Sequence, residues 1–157
     1  MTAPRRHHRH SVALPTSYDW RHPDNGRPVG VTPVKDQGQC GSCWAFSATE
    51  AVESAWILSG KPAAVLAPEQ TVDCDTTDGG CNGGDTVTAF AYMKTVGVMS
   101  EASYPYTAGD SGSAGTCQYS ASKVIAKIQG FTYASEHREQ HRVRCSLLLW
   151  SGAVRRL

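Results

Sequence analysis

The chain has no run of apolar residues long enough to span a membrane, and its first ten residues, Met1-Thr2-Ala3-Pro4-Arg5-Arg6-His7-His8-Arg9-His10, lack the apolar core of a secretory signal. Residues 1–13 therefore read as a disordered basic leader, and no membrane partner is expected. Arginine is missing from the middle: all ten arginines fall within 5–27 or 138–156. Between 28 and 137 five lysines face eleven Asp and Glu, so this stretch is net −6 although the whole chain is +1. An acidic middle flanked by basic ends gives no reason to expect a nucleic-acid partner. No internal repeat is present. What remains, 157 residues of which 40% are hydrophobic, is enough for one domain with its own core.

Six cysteines in a chain of this length point to an oxidising compartment, which conflicts with an N-terminus that is no signal peptide. Either the cysteines are not disulfides or the true N-terminus lies upstream of Met1.

Glycine and proline punctuate the chain unevenly. Four prolines (15, 23, 28 and 33) and Asn25-Gly26 make Leu14–Val34 extended chain and turns. Cys43–Ser59 has neither Gly nor Pro, and Trp44, Ala48, Val52, Ala55 and Trp56 recur at helical spacing; Phe46 and Ile57 widen the apolar surface into that of a buried helix. Gly60-Lys61-Pro62 ends it. Pro68-Glu69 opens a short helix to about Cys74, Asp75–Gly84 is turn, and Asp85 caps a helix over 86–96 that Gly97 closes. Tyr104-Pro105-Tyr106 is extended, 108–116 a loop, and Val124–Tyr133 a strand. From about Glu136 the character changes, with five arginines around Cys145-Ser-Leu-Leu-Leu-Trp150 and no clear period.

The chemistry is concentrated in Gln37-Gly38-Gln39-Cys40-Gly41-Ser42-Cys43-Trp44. A bare C-x-x-C has three readings: a redox pair, half of a zinc site completed by Cys74 and Cys81, or a structural cysteine beside a reactive one. The flanking residues favour the third. Cys43 stands where a hydrophobic helix begins, near the unpaired N–H groups and the positive end of the helix dipole, a setting that favours the thiolate form. Gly38 and Gly41 would let the loop pass close to a substrate, and the Gln37 side-chain amide could face an oxyanion formed beside Cys43. A nucleophile at a helix N-terminus with an amide donor nearby suits acyl transfer.

These residues resemble the papain-like cysteine peptidases of the papain and cathepsin L type, whose Cys-Gly-Ser-Cys-Trp signature is present at 40–44. The likeness runs from Leu14-Pro15 through Asp19-Trp20-Arg21 to about Tyr133. It includes Val31–Gln37, Pro68–Cys74, Gly80-Cys81-Asn82-Gly83-Gly84 and Tyr104-Pro105-Tyr106. The resemblance implies an α+β fold: a mainly helical left lobe with the start of a right-lobe β-barrel, over 14–135, incomplete, and followed by a divergent basic tail over 136–157 that is foreign to the fold. It implies a cysteine endopeptidase with Cys43 as nucleophile, Gln37 and the Cys43 N–H as oxyanion hole, and Gly83-Gly84 as a strip for extended peptide. It further implies disulfides Cys40–Cys81 and Cys74–Cys117. Peptide or protein substrates and protease inhibitors are the expected partners, with no cofactor and no metal. A lysosomal, vacuolar or secreted setting is expected of full-length relatives.

The catalytic histidine and asparagine of this family follow the cysteine by ~130–150 residues. His137 and His141 lie only 94 and 98 residues after Cys43, in the divergent stretch, and His22 lies in the turn-rich arm. The expectation is therefore a chain without either catalytic partner and inactive by itself. A reading-frame change near residue 136 would account for the tail. Two alternatives remain: a non-catalytic fragment binding peptides or inhibitors, and a zinc or redox protein.

Overall fold

The computed structural model describes residues 16–23 and 29–132; the basic leader, the 136–157 tail, His137, His141 and Cys145 lie outside the described residues. Helix α1 spans Cys43–Leu58, and ten of its sixteen residues are buried, which makes it the central element rather than a surface one. Its apolar residues reach both neighbours: α2 (Pro68–Cys74) and α3 (Thr86–Val96) pack against it. Ser59 and Gly60 close α1, Gly60 in the left-handed region at φ +83°. Pro68 takes the first position of α2, where its missing N–H costs nothing. Asp85 caps α3 by accepting the Val87 N–H at 2.7 Å.

Between these helices lies a core of Trp44, Val52, Trp56, Leu66, Met93 and Val98. Leu66 and Met93 are wholly buried, each worth about 1.5–3 kcal/mol relative to exposure.

Two elements differ from the sequence expectation. Of the strand expected over 124–133, the described residues form β2 (Val124–Ala126), paired antiparallel with an unexpected two-residue strand, β1 (Val98–Met99). Its partner limits it: β1 begins where Gly97 (φ +84°) ends α3, and the next residue, Ser100, bridges Leu66 before the chain turns at 101–103. Gly97 has to be glycine, because a Cβ there would lie 2.6 Å from a Val124 methyl. The second is a helical turn, α4 (Ala108–Ser111), inside the segment read as loop. Its start is held from a distance, the Glu69 carboxylate of α2 accepting from Thr107 Oγ1 at 2.7 Å and from the Ala108 N–H at 3.1 Å.

Candidate active site

Cys43 is the first residue of α1; its thiol is free and exposed. The first intrahelical bonds go from the Ala45 and Phe46 N–H groups to the Ser42 carbonyl, at 2.9 and 3.1 Å. This leaves the Cys43 N–H without a partner among the described residues, as the geometry of a helix start requires. Ser42 does not cap α1 with its side chain. Its buried hydroxyl lies 2.7 Å from the hydroxyl of Tyr106 instead.

Gln37 stands in a turn whose Cys40 N–H reaches back to the Gln37 carbonyl at 3.4 Å. The Gln37 side chain donates from Nε2 to the Cys40 carbonyl at 2.8 Å. A carbonyl only accepts, so this bond fixes which way the amide faces and leaves its second N–H available. Tyr106 donates its hydroxyl proton to the Gln37 carbonyl at 2.8 Å. Burial pushes the Tyr106 phenol up, partly offset by Ser42's hydrogen bond, so the phenol keeps the proton that it donates.

Gly38 and Gly41 serve a different purpose from the one expected. A Cβ on Gly38, which has φ +58°, would lie 2.6 Å from the Gly109 carbonyl oxygen, and one on Gly41 would lie 2.6 Å from that of Cys81. Both glycines admit the protein's own backbone: Gln39 donates to Gly109 at 2.8 Å and Gly41 to Cys81 at 3.0 Å.

Cys40 is joined to Cys81 and Cys74 to Cys117. The first bond ties the Gln37–Cys43 loop to the 80–84 turn, which Trp44 also holds by donating Nε1–H to the Gly80 carbonyl at 3.1 Å. The two disulfides remove the four-cysteine zinc set and the Cys40–Cys43 redox pair from consideration, since Cys40, Cys74 and Cys81 are all bonded elsewhere. No group of three or more His, Cys, Asp or Glu among the described residues is placed to hold a metal.

Gly83 and Gly84 are not equivalent. Gly83 already donates to the Gly80 carbonyl at 3.4 Å and accepts the Gly79 N–H at 2.9 Å. The N–H and C=O of exposed Gly84 have no partner among the described residues, so Gly84 is the one with peptide groups open to another chain. His22 is exposed, its N–H bonded to the Asp19 carbonyl at 3.0 Å, and no hydrogen bond among the described residues joins it to Cys43. Tyr106 and Ser42 were missed as site residues. Their bonds cross 64 and 69 positions of sequence, and no local pattern announces them.

The sequence model of the papain family cysteine proteases matches residues 14–148. Cysteine proteinase 1 of Zea mays is 44% identical over 137 residues, covering 81% of this chain and 34% of the relative. The cathepsin L-like proteinase of Fasciola hepatica is 40% identical over 121 residues, covering 76% of this chain and 34% of the relative. Among solved structures, digestive procathepsin L2 proteinase from Tenebrio molitor larval midgut superposes with a TM-score of 0.67 at 40% identity, over 78% of this chain and 37% of that one. The chain thus spans about a third of the length of the relatives it matches. The match covers most of the sequence, and the helices with their small sheet follow the helical part of that fold: the chain belongs to the papain family of cysteine proteases.

Proposed function

We propose that this chain supplies the nucleophile and oxyanion-binding half of a cysteine endopeptidase site. The observation that carries this reading is the free, exposed Cys43 thiol at the first position of α1, with its own N–H unpartnered among the described residues and the oriented Gln37 amide on the adjoining loop. The Cys43 thiolate adds to a peptide carbonyl carbon, and the carbonyl's electron pair moves to oxygen, where the Cys43 N–H and the second Gln37 N–H receive it. Collapse expels the amine and leaves an acyl-enzyme that water hydrolyses. Gly84 offers one N–H and one C=O to the backbone of an extended peptide beside the nucleophile. Protonation of the leaving amine needs an imidazole, and we assign that role, with the orienting asparagine, to residues outside these 157. The 14–135 segment is then the left lobe with the first right-lobe strand, and 1–157 alone reacts at Cys43 without turnover.

Peptides or proteins are the substrates and protease inhibitors the natural competitors. Two disulfides suit a lysosomal, vacuolar or extracellular setting. The test treats folded chain with an epoxysuccinyl or iodoacetamide probe, alongside a Phe-Arg fluorogenic peptide. Labelling at Cys43 without turnover is expected. Turnover lost in Cys43→Ala would overturn the assignment of the base to residues elsewhere, and absence of labelling in folded protein would overturn the nucleophile itself.

A further inference from the structure

Tyr106 reaches both sides of the site from 63 residues beyond Cys43. A tyrosine hydroxyl has one proton, and here it goes to the Gln37 carbonyl at 2.8 Å. The 2.7 Å contact with Ser42 must then be a bond that Ser42 donates. Ser42 has an alternative acceptor in the Cys40 carbonyl, but at 3.4 Å it is the weaker one. A single phenolic oxygen therefore joins the backbone of Gln37 to the residue immediately before Cys43. Among the described residues the only other bond to the Gln37 carbonyl is the 3.4 Å contact from the Cys40 N–H.

The phenol is itself held on several sides. Its ring meets Phe46 of α1 edge-on, at 4.8 Å between centroids and 80° between planes. Gly109 lies so close that a Cβ there would be 2.8 Å from Tyr106 Cε1. The Tyr106 N–H is fixed by Glu101 Oε1 at 2.8 Å. Ring, hydroxyl and backbone are each tied to a different element, which is what a strut between two loops requires.

We propose that Tyr106 is a positioning residue for acyl transfer, setting the distance between the Gln37 amide and the Cys43 N–H so that both can reach one oxyanion. This rests on the reading of Cys43 as nucleophile and Gln37 as oxyanion donor. Oxyanion donors are worth roughly 10²–10³ in rate only when placed within hydrogen-bond reach of the developing charge. A strut that sets their spacing therefore acts on the oxyanion and not on the thiol.

A peptide aldehyde, N-acetyl-phenylalanyl-glycinal, separates the two. The Cys43 sulfur bonds to the aldehyde carbon, and the carbonyl's electron pair moves to the oxygen facing the two N–H groups. Nothing leaves, so no general acid is needed and the adduct is reversible. Its dissociation constant is read from protection of Cys43 against iodoacetamide in the full chain, for wild type and Tyr106→Phe, with melting temperatures and hydrogen exchange over 37–43; Cys43→Ser, which has no thiol to protect, is compared with wild type by direct binding of the aldehyde.

Tyr106→Phe is expected to weaken the aldehyde at least tenfold and to speed exchange over 37–43, while the iodoacetamide rate without aldehyde stays within twofold. Equal aldehyde affinity in wild type and Tyr106→Phe overturns the assignment. So does a parallel fall in aldehyde affinity, iodoacetamide rate and melting temperature, which would make Tyr106 merely structural. Failure of wild type to bind the aldehyde, or equal retention of it by Cys43→Ser in a direct binding assay, overturns the underlying acyl-transfer reading.

Discussion

Gly84 lies against the indole of Trp44 so closely that a Cβ on it would sit 2.6 Å from Cδ2 and 2.7 Å from Cε2. The same indole donates to the Gly80 carbonyl from the other end of the turn. One buried side chain at the second position of α1 thus shapes the Gly83-Gly84 strip that we propose for peptide. Gly84→Ala should destabilise the chain by ~1–3 kcal/mol, because neither the ring nor the backbone can give way freely. Gly83→Ala meets open space but must hold φ +107°, so its cost, ~1–3 kcal/mol, is one of backbone strain. Urea denaturation measures both. The two should differ in exchange at the Trp44 indole N–H, which rises in Gly84→Ala alone; equal protection would show that the ring does not shape the strip.

The disulfides close loops of similar length, with separations of 41 and 43 residues. Chain entropy alone makes each worth about 3–4 kcal/mol, and Cys→Ser replacement of either pair should lower the urea midpoint to a similar extent. Their effects on the site should not be similar. Cys40–Cys81 anchors the loop between Gln37 and Cys43, whereas Cys74–Cys117 fastens the end of α2 to the 112–120 segment. Removing the first should change the rate at which Cys43 reacts with iodoacetamide, and removing the second should not. Equal effects would mean that the 37–43 loop is held by its hydrogen bonds alone.

Helix boundaries were legible because local chemistry decides them. Asp85 before α3, Pro68 at the start of α2 and the gap in Gly and Pro over 43–59 act within a turn of where they stand. The same holds for Cys43, whose place at a helix start is a local fact. β1 and α4 were not legible, since Val98–Met99 is too short to show a period and Ala108 depends on Glu69, 39 residues away. Gly38 and Gly41 show the limit most clearly. Their composition said that something passes close, and only the fold shows that it is Gly109 and Cys81.

Glu53 is fully buried within α1 and accepts from three directions: the Leu66 N–H at 2.7 Å, Lys35 Nζ at 2.8 Å, and the Thr32 hydroxyl. The Lys35 side chain is itself only 14% exposed, so the pair is little screened by solvent. Lys35→Met should strand a buried carboxylate and cost roughly 3–5 kcal/mol. In Lys35→Met/Glu53→Gln the amide oxygen still accepts from Leu66 while the unpaired charge is gone, and most of that loss should be recovered. A double mutant as unstable as the single would show that the damage came from lost packing of the lysine stem.

Tyr104 ties stability to alkaline pH. Its hydroxyl donates to Asp73 Oδ2 at 2.8 Å and accepts the Gln118 N–H at 2.9 Å. Burial raises its pKa most; Gln118's N–H works against this and the Asp73 carboxylate reinforces it, so the phenol is pushed up to about 12. An unfolded tyrosine titrates near ~10. A raised folded value means that the stabilisation is complete below pH ~10 and is lost as pH rises from there to about 12. In that window the group makes stability fall by up to about 1.4 kcal/mol per pH unit. Tyr104→Phe should therefore be less stable than wild type at pH 8, and its deficit should shrink steadily as pH rises. The curve of the variant will not become flat, because burial also raises the Tyr92 and Tyr106 phenols. Urea midpoints at intervals from pH 8 to 12, with all free thiols blocked so that none attacks the disulfides, measure the difference. Parallel curves for the two proteins would show that Tyr104 ionises no later in the folded chain than in the unfolded one.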